Sequence, residues 1–387
     1  MDNFFFTAPT RLYFGKGEEG RAGALAKRHL GDRVLVHFGG GSVKAAGLLD
    51  RVTDSLRAAG VACTLLGGVK PNPVLSLVHE GIALCKRDGI TGVLAVGGGS
   101  VIDSAKVIAD GACYDGEVWD FYDGKATVQR ALPVGVILTI AAAGSEASVS
   151  AVITNEDGMK KRGANSEWHR PAFSILNPEL TYGVSAYQTA CGVSDINAHV
   201  LERYFSPTAQ TELTDRWAEA ILLTTMRAAP VALKTPNDYA ARADILWAGT
   251  VAHNNLVGVG RVQDWASHGL SHELSALYDT AHGAALAIIF PAWMKHVWRS
   301  NPAVFVQFAH RVLGVAEYKN TEECVLTGIA RYEAFLKGMG LPVRMSEAGI
   351  PRGAVDAMTA RIAPALPMGG FCRLTKEDVR AIYTLAY

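Results

Sequence analysis

The chain has 387 residues, more than one hydrophobic core usually serves, so two domains are expected. Its 37 basic and 37 acidic residues give a formal net charge of zero, which argues against nucleic acid or an anionic membrane as a partner. Hydrophobic residues make up 49% and charged residues 19%, a composition typical of globular proteins.

The sequence also argues against a secreted or membrane protein. No apolar run reaches the roughly 20 residues that a membrane span needs, and the N-terminal segment lacks the pattern of a signal peptide. The six cysteines form no C-x-x-C pair, which favours reduced thiols. We therefore expect a cytoplasmic protein.

The first half of the chain alternates short apolar runs with helical patterns. The predicted strands cover residues 33–38, 61–66, 92–96 and 133–139, and the predicted helices lie around residues 46–56, 74–88 and 101–109. This alternation predicts βαβ units and a parallel sheet.

Two predicted strands end in the same glycine turn, Gly39-Gly40-Gly41-Ser42 and Gly97-Gly98-Gly99-Ser100. A glycine turn that opens a helix lets backbone N–H groups approach a phosphate. One such turn is often only a tight connection, but two in one parallel sheet favour a dinucleotide. The G-x-G-x-x-G fingerprint is absent, so a standard Rossmann domain is not predicted.

The first glycine turn also predicts the cofactor. An acidic residue there would bind the ribose 2′-hydroxyl and repel a 2′-phosphate. Small residues occupy the turn instead, followed by the Ser42 hydroxyl and the Lys44 cation. We therefore expect NADP(H) rather than NAD(H).

From about residue 188 onward the strand-like runs give way to long segments with helical periodicity. They cover residues 209–227, 240–257, 281–296, 302–313, 322–339 and 375–386. The sequence thus predicts an α/β nucleotide-binding domain over residues 1–187 and an all-α metal-binding domain over residues 188–387.

The helical half carries a cluster of metal-binding side chains. Asp195 and His199 are spaced i, i+4 and share one helix face, and three more histidines follow at 268, 272 and 282. Each pair alone is weak, but the four histidines and Asp195 together contain enough ligands for one carboxylate and three imidazoles around one divalent metal, with a position open for substrate. A Lewis-acid metal beside a nucleotide indicates hydride transfer at a carbinol carbon.

These motifs resemble the iron-containing (group III) alcohol dehydrogenases over essentially the whole chain. The matching segments are Pro71–Pro73 (P-N-P), Gly97–Lys106 (G-G-G-S-x-x-D-x-A-K), Thr139–Glu146, Gly192–Glu202 (G-x-x-D-x-x-x-H-x-x-E), and His268, His272 and His282-Gly283. The first glycine turn and Asp264–His268 look most like the NADPH-dependent butanol dehydrogenase and aldehyde reductase branch.

The resemblance implies roles for individual residues. The metal ligands would be Asp195, His199, His268 and His282, and His272 would be a non-ligand histidine near the nicotinamide. Gly97, Gly98, Gly99 and Ser100 would hold the pyrophosphate, Gly40 and Ser42 would lie at the adenosine ribose, and Asn72, Asp103, Thr139 and Lys161 would make further cofactor contacts. Ala143 stands where the family usually has Thr, which would remove one hydroxyl contact to the cofactor.

The resemblance also implies the architecture of dehydroquinate synthase and a homodimer. The expected activity is NADP(H)- and metal-dependent interconversion of a small-to-medium alcohol and aldehyde. Fe²⁺ is the metal that the family name favours, and the ligand types suit Zn²⁺ as well.

Two alternatives differ in chemistry. A metal- and NAD-dependent lyase of the dehydroquinate synthase type would need several cations for its anionic substrate, but residues 256–289 contain only Arg261. A structural metal would favour a closed, thiolate-rich site, and this ligand set contains no cysteine.

Overall fold

The computed structural model describes residues 1–387, which form two units. The first, here called the α/β unit, is the continuous stretch Thr7–Gly183. The second, here called the helical unit, combines Val184–Tyr387 with Met1–Phe6.

The α/β unit contains all the strands and the first five helices. Its strands are β1 (Arg11–Phe14), β2 (Arg33–Phe38), β3 (Ala62–Leu66), β4 (Gly92–Gly97), β5 (Val134–Leu138), β6 (Ser150–Asn155), β7 (Lys160–Asn165) and β8 (Phe173–Leu176). Its helices are α1 (Ala22–His29), α2 (Ser42–Ala45), α3 (Leu48–Ala58), α4 (Leu75–Asp88) and α5 (Gly99–Ala112).

Six of these strands form a parallel sheet in the order β1-β8-β5-β4-β2-β3, and β6 and β7 form a separate antiparallel hairpin. The central strand β4 is buried at every position, which explains its continuous apolar sequence. After β2 the chain moves outward to β3 and then returns to β4 on the other side of β2. The carboxyl ends of β2 and β4 therefore flank the switch point of the sheet, where ligands of open α/β sheets bind.

The helical unit contains no strand. Its helices are α6 (Ala186–Tyr204), α7 (Glu212–Lys234), α8 (Tyr239–His253), α9 (Ala266–Tyr278), α10 (His282–Val297), α11 (Pro302–Arg311), α12 (Thr321–Gly338), α13 (Ala354–Ile362) and α14 (Lys376–Leu385). The buried helices α6 and α10 pack against each other at its centre. The predicted parallel α/β half and helical half are both confirmed.

The first six residues belong to the helical unit, which the sequence division at residue 187 does not anticipate. The backbone N–H of Asp2 donates to the carbonyl of Gly260 at 2.8 Å. The Asp2 carboxylate accepts from the Thr208 hydroxyl at 2.8 Å. Gly260 has a positive φ of 67°, and its Cα faces the side chains of Met1 and Phe4.

Two sequence expectations concern the chain as a whole. All six cysteines are unpaired. No helix combines the length and the apolar character that a membrane span requires.

Candidate metal centre and cofactor turns

Helix α6 presents two of the predicted ligands. Asp195 and His199 lie one turn apart, and both side chains are buried. The helix starts at a Ser185 cap, whose hydroxyl accepts from the backbone N–H of Gln188 at 3.2 Å. The spacing that suggested a shared helix face therefore corresponds to a real helix.

Helices α9 and α10 present the other two. Helix α9 ends at Tyr278, Asp279 adopts a left-handed conformation, and α10 starts at His282. This tight turn brings the imidazole rings of His268 and His282 to a centroid distance of 5.4 Å. The two histidines therefore converge although fourteen residues separate them.

A glycine sets the distance between α10 and α6. A Cβ atom at Gly283 would overlap the backbone carbonyl of Cys191 on α6. The Ser194 hydroxyl donates to the carbonyl of Gly283 at 2.8 Å and fixes the same contact. Since Gly283 directly follows His282, this close approach places that imidazole beside Asp195.

The four side chains converge on one carboxylate oxygen. The Oδ1 atom of Asp195 lies 3.4 Å from His199 Nδ1, 3.8 Å from His268 Nε2 and 3.7 Å from His282 Nε2. Ligand atoms of Asp195, His268 and His282 all lie within 4.8 Å of one another. Ligands about 2.1 Å from a tetrahedral ion lie about 3.4 Å apart, so these separations suit a bound ion.

The hydrogen bonding of these residues also fits a cation. Asp195 Oδ1, His199 Nδ1 and His268 Nε2 are buried and have no hydrogen-bond partner within the protein. Buried polar atoms are normally satisfied, so three orphaned lone-pair atoms facing one point require an explanation. A divalent metal would satisfy all three.

The charge states of the imidazoles follow from their surroundings. Burial and the neighbouring His253 and His268 hold the pKa of His199 well below its usual range, which keeps that ring neutral. Burial also acts to lower the pKa of His268, but the carboxylates of Asp195 and Glu202 outweigh it and raise that pKa.

The sequence did not single out three residues that contact the cluster in the structure: Glu202, His253 and Trp265. The Glu202 carboxylate contacts His268 Nδ1. The ring centroids of His253 and His199 lie 4.1 Å apart. Trp265 packs against the rings of His199 and His268. Glu202 follows Asp195 by seven positions and so shares its helix face, a signal that the spacing offered. His253 had no such signal, because α8 reaches His199 only in the folded unit.

His272 lies one turn after His268 on α9. Its ring centroid is 5.5 Å from that of His282. It therefore adjoins the cluster at His282.

In the α/β unit, the predicted phosphate turns follow neighbouring strands. Gly39–Gly41 follow β2, and Gly97–Ser100 span the end of β4 and the start of α5. Thr139 follows β5, and its N–H donates to the carbonyl of Gly97 at 3.1 Å. Because β2, β4 and β5 are adjacent and parallel, these segments meet at one edge of the sheet. A Cβ atom at Gly99 would lie 3.0 Å from Ala143 Cβ, so Ala143 borders the second turn.

The remaining predicted cofactor residues have partners within the unit. The Lys161 ammonium donates to Asn72 Oδ1 at 2.9 Å, which brings those two residues together. The Asp103 carboxylate accepts from the Ser145 hydroxyl at 2.6 Å and the Val152 N–H at 3.0 Å. The buried Lys106 ammonium donates to the same Ser145 at 2.9 Å, and burial lowers its pKa to about 8. Asp103 and Lys106 thus link α5 to β6 and to the loop that precedes it.

Comparisons with known proteins give this arrangement a family. The profile described as iron-containing alcohol dehydrogenase matches residues 9–178, and the profile of the C-terminal part of the Fe-containing alcohol dehydrogenase family matches residues 189–387. The chain belongs to the iron-containing alcohol dehydrogenase family. The predicted reaction class, alcohol dehydrogenase and aldehyde reductase, is therefore confirmed, and the lyase alternative is not favoured.

Relatives within the iron-containing alcohol dehydrogenase family cover nearly the whole chain. The chain is 42% identical to the probable NADH-dependent butanol dehydrogenase 1 of Bacillus subtilis over 99% of both chains. It is 37% identical to the NADPH-dependent aldehyde reductase YqhD of Escherichia coli over 100% of both. The crystal structure of NADH-dependent butanol dehydrogenase A from Thermotoga maritima matches with a TM-score of 0.96 and 41% identity, covering 100% of this chain and 99% of that one.

Membership of the iron-containing alcohol dehydrogenase family implies a divalent metal and a nicotinamide cofactor. The relatives' names divide over the cofactor, since two specify NADH and one NADPH. The predicted branch, butanol dehydrogenases and aldehyde reductases, is confirmed.

A cavity of about 680 Å³ opens beside the turn between α9 and α10. Thr280 and Ala281 in its wall directly precede His282, and Tyr187 in its wall lies two turns before Asp195 on α6. None of the four proposed metal ligands lines this cavity.

Proposed function

We propose that this protein interconverts small-to-medium aldehydes and alcohols with NADP(H) and one divalent metal held by Asp195, His199, His268 and His282. The observation that carries the proposal is the convergence of three imidazole nitrogens on Asp195 Oδ1. That oxygen and the nitrogens of His199 and His268 are buried without a hydrogen-bond partner within the protein. When bound, the metal supplies Lewis acidity at the substrate oxygen, and the nicotinamide supplies or accepts hydride. Fe²⁺ is the favoured metal, and Zn²⁺ suits the same ligands.

The ligand set tunes the charge of the site. A single carboxylate offsets part of the charge of a divalent cation, and neutral imidazoles offset none. Burial keeps His199 neutral, so its lone pair stays available. The retained positive charge favours a substrate that presents an oxygen lone pair, as an aldehyde does.

NADP(H) is favoured by the first glycine turn. Gly39–Gly41 carry no acidic group that would repel a 2′-phosphate, and Cβ atoms added at Gly40 or Gly41 would meet open space. Ser42 follows as a hydroxyl donor at the start of α2. Gly97–Ser100 would bind the pyrophosphate at the start of α5, with Asn72, Asp103, Thr139 and Lys161 as further cofactor contacts.

His272 is proposed to relay the proton. In the reducing direction the carbonyl carbon receives hydride and the carbonyl oxygen needs one proton, which an imidazole exchanging with solvent can deliver. His272→Ala should lower turnover at least about tenfold while metal content stays near one per chain. Metal analysis of the purified variant checks this, because a parallel loss of metal would make His272 a ligand.

The central test uses metal-stripped protein and the same protein reloaded separately with Fe²⁺ and Zn²⁺. Consumption of NADPH is followed with a medium-chain aldehyde, and NADH is run in parallel. We expect oxidation of NADPH that depends on added metal. Activity with NADH alone would overturn the cofactor assignment only, whereas inactivity at one bound metal per chain would overturn the substrate class. The proposed homodimer is tested by the molar mass from light scattering.

A further inference from the structure

Glu202 is a fully buried carboxylate, 0% exposed, whose two oxygens receive three N–H groups from the start of α9. Oε1 accepts from the backbone N–H of His268 at 2.9 Å and from His268 Nδ1 at 2.8 Å. Oε2 accepts from the backbone N–H of Trp265 at 2.8 Å. No oxygen of Glu202 is among the atoms that converge on Asp195 Oδ1.

The bond to the imidazole determines which nitrogen carries the lone pair. A carboxylate only accepts, so His268 Nδ1 donates, and a neutral ring then has its lone pair on Nε2. Nε2 is the atom that is buried without a hydrogen-bond partner, 3.8 Å from Asp195 Oδ1. We propose that Glu202 is a positioning residue for the metal centre, which holds the tautomer and the ring orientation of His268 for coordination through Nε2. This inference rests on the proposed metal site.

Glu202 also fixes the helix that carries His268. The N-cap residue of α9, Trp265, is in a left-handed conformation and gives no side-chain cap. The Asp264 carboxylate accepts from the N–H of Ala266 at 3.3 Å, and the Glu202 carboxylate accepts from the N–H groups of Trp265 and His268, so Glu202 satisfies two of the free donors at this helix start. In addition, the backbone carbonyl of Glu202 accepts from the N–H of Asp264 at 2.8 Å. One residue of α6 therefore sets both the location of α9 and the rotation of its ligand.

The arrangement requires a carboxylate and not an amide. A glutamine in this place has one accepting oxygen and one NH₂ group, so the NH₂ group would face at least one of the three N–H donors. The adjacent Arg203 is also buried, with its guanidinium 4.6 Å from the centre of the Trp265 ring. Burial lowers the pKa of Arg203, and the charge of Glu202 acts in the opposite direction. Glu202→Gln removes that charge and misdirects the hydrogen bonds with almost no change in volume.

The test measures Zn²⁺ affinity of the full chain by competition with a chromophoric chelator, and records the visible d–d spectrum of the Co²⁺-loaded protein. We expect Glu202→Gln to weaken Zn²⁺ binding about 10- to 100-fold and to change the Co²⁺ bands, because loss of such a partner misorients the ligand. Glu202→Asp keeps the charge with a shorter reach, so it should fold readily and show a smaller loss. If Glu202→Gln does not fold, the Zn²⁺ affinity and the Co²⁺ spectrum of Glu202→Asp are measured in its place.

Glu219→Gln is the matched control. Glu219 is also a buried glutamate of the helical unit, but it binds Tyr204, Arg216 and Arg311. It should lower thermal stability and leave Zn²⁺ affinity within about twofold of the wild-type value. A folded Glu202→Gln with wild-type Zn²⁺ affinity, or an equal loss in Glu219→Gln, would overturn the inference. Failure of the wild-type protein to bind Zn²⁺, Fe²⁺ or Co²⁺ would overturn the metal site itself.

Discussion

His37 in the α/β unit and His268 in the helical unit are both buried, but their ring nitrogens meet different surroundings. His37 Nδ1 lies 2.9 Å from the carbonyl of Leu66, and its Nε2 lies 2.9 Å from the Ser104 hydroxyl, so both nitrogens are satisfied. His268 has a partner at Nδ1 and none at Nε2. Burial alone therefore does not distinguish a structural histidine from a candidate ligand. The distinction is that His268 Nε2 lies beside other buried, unsatisfied atoms, those of Asp195 and His199.

Glycines in the two units differ in the space around their Cα atoms. Gly40 and Gly41 in the α/β unit face open space, where a ligand can approach the backbone. Gly283 in the helical unit faces the carbonyl of Cys191, which leaves no room for a side chain. The proposed cofactor turn therefore depends on the absence of side chains, whereas the proposed metal centre depends on side chains that converge. The metal centre should be the more sensitive to small displacements of the backbone.

The largest effect is expected for Gly283→Ala. The added methyl group must push α10 away from the backbone of α6, so the free energy of unfolding should fall by about 3 kcal/mol and His282 should move away from Asp195. Urea unfolding and metal analysis measure the two effects. Gly338→Ala is the control, because Gly338 lies at the exposed end of α12 and a Cβ atom there meets no neighbour within 4 Å; stability should stay unchanged or rise by up to about 1 kcal/mol. Equal stability of the two variants would show that the α6–α10 contact adapts.

The next effect is the pH dependence that His37 introduces. Burial lowers the pKa of His37 from 6.5 to about 4. Between these pH values the unfolded chain binds a proton that the folded chain does not, so stability falls as pH falls from 6.5 to 4, by up to about 3 kcal/mol. His37→Asn should therefore flatten the plot of unfolding free energy against pH in this window. Parallel curves for the variant and the wild type would assign the acid sensitivity to other groups.

The smallest effect concerns the cofactor turn and should leave folding unchanged. Gly40→Asp puts a carboxylate where the 2′-phosphate is proposed to lie, and the residue meets no neighbour within 4 Å. The dissociation constant for NADPH should rise at least about tenfold, or about 1.4 kcal/mol, with little change for NADH. Fluorescence titration measures both constants. Gly40→Asn adds similar bulk without charge, so an equal NADPH loss in that variant would indicate steric rather than electrostatic exclusion.

The sequence predicted four of the six strands of the sheet. Three of them, β2, β4 and β5, are continuous apolar runs, and β3 is an apolar run at the sheet edge. The predicted strands at residues 33–38, 61–66, 92–96 and 133–139 correspond to β2, β3, β4 and β5. Strand β1 was missed because it is short, half exposed and at the sheet edge, and β8 is only four residues long. The hairpin strand β7 was missed because its Lys160-Lys161-Arg162 run has no strand-like alternation.

For the metal centre, helical spacing located Asp195 and His199, and clustering drew attention to His268 and His282. The bond between Glu202 and His268 depends on how α6 crosses α9, which local periodicity does not specify. The approach of His253 to His199 depends in the same way on the packing of α8 against α6. Contacts between distant helices are set by the folded core, so only the structure could reveal the partners of the ligands.

The placement of residues 1–6 affects how the chain can be assembled and divided. The Met1 ammonium donates to the carbonyl of Ala209 at 2.9 Å, so this contact spans 208 sequence positions. During synthesis the continuous stretch 7–183 can complete its contacts early, whereas the first six residues must wait for residues made much later. Cleavage between residues 183 and 184 would leave residues 1–6 covalently attached to the α/β unit, although they pack against the helical unit. The released helical fragment would then expose the surface around Gly260 that Met1 and Phe4 cover.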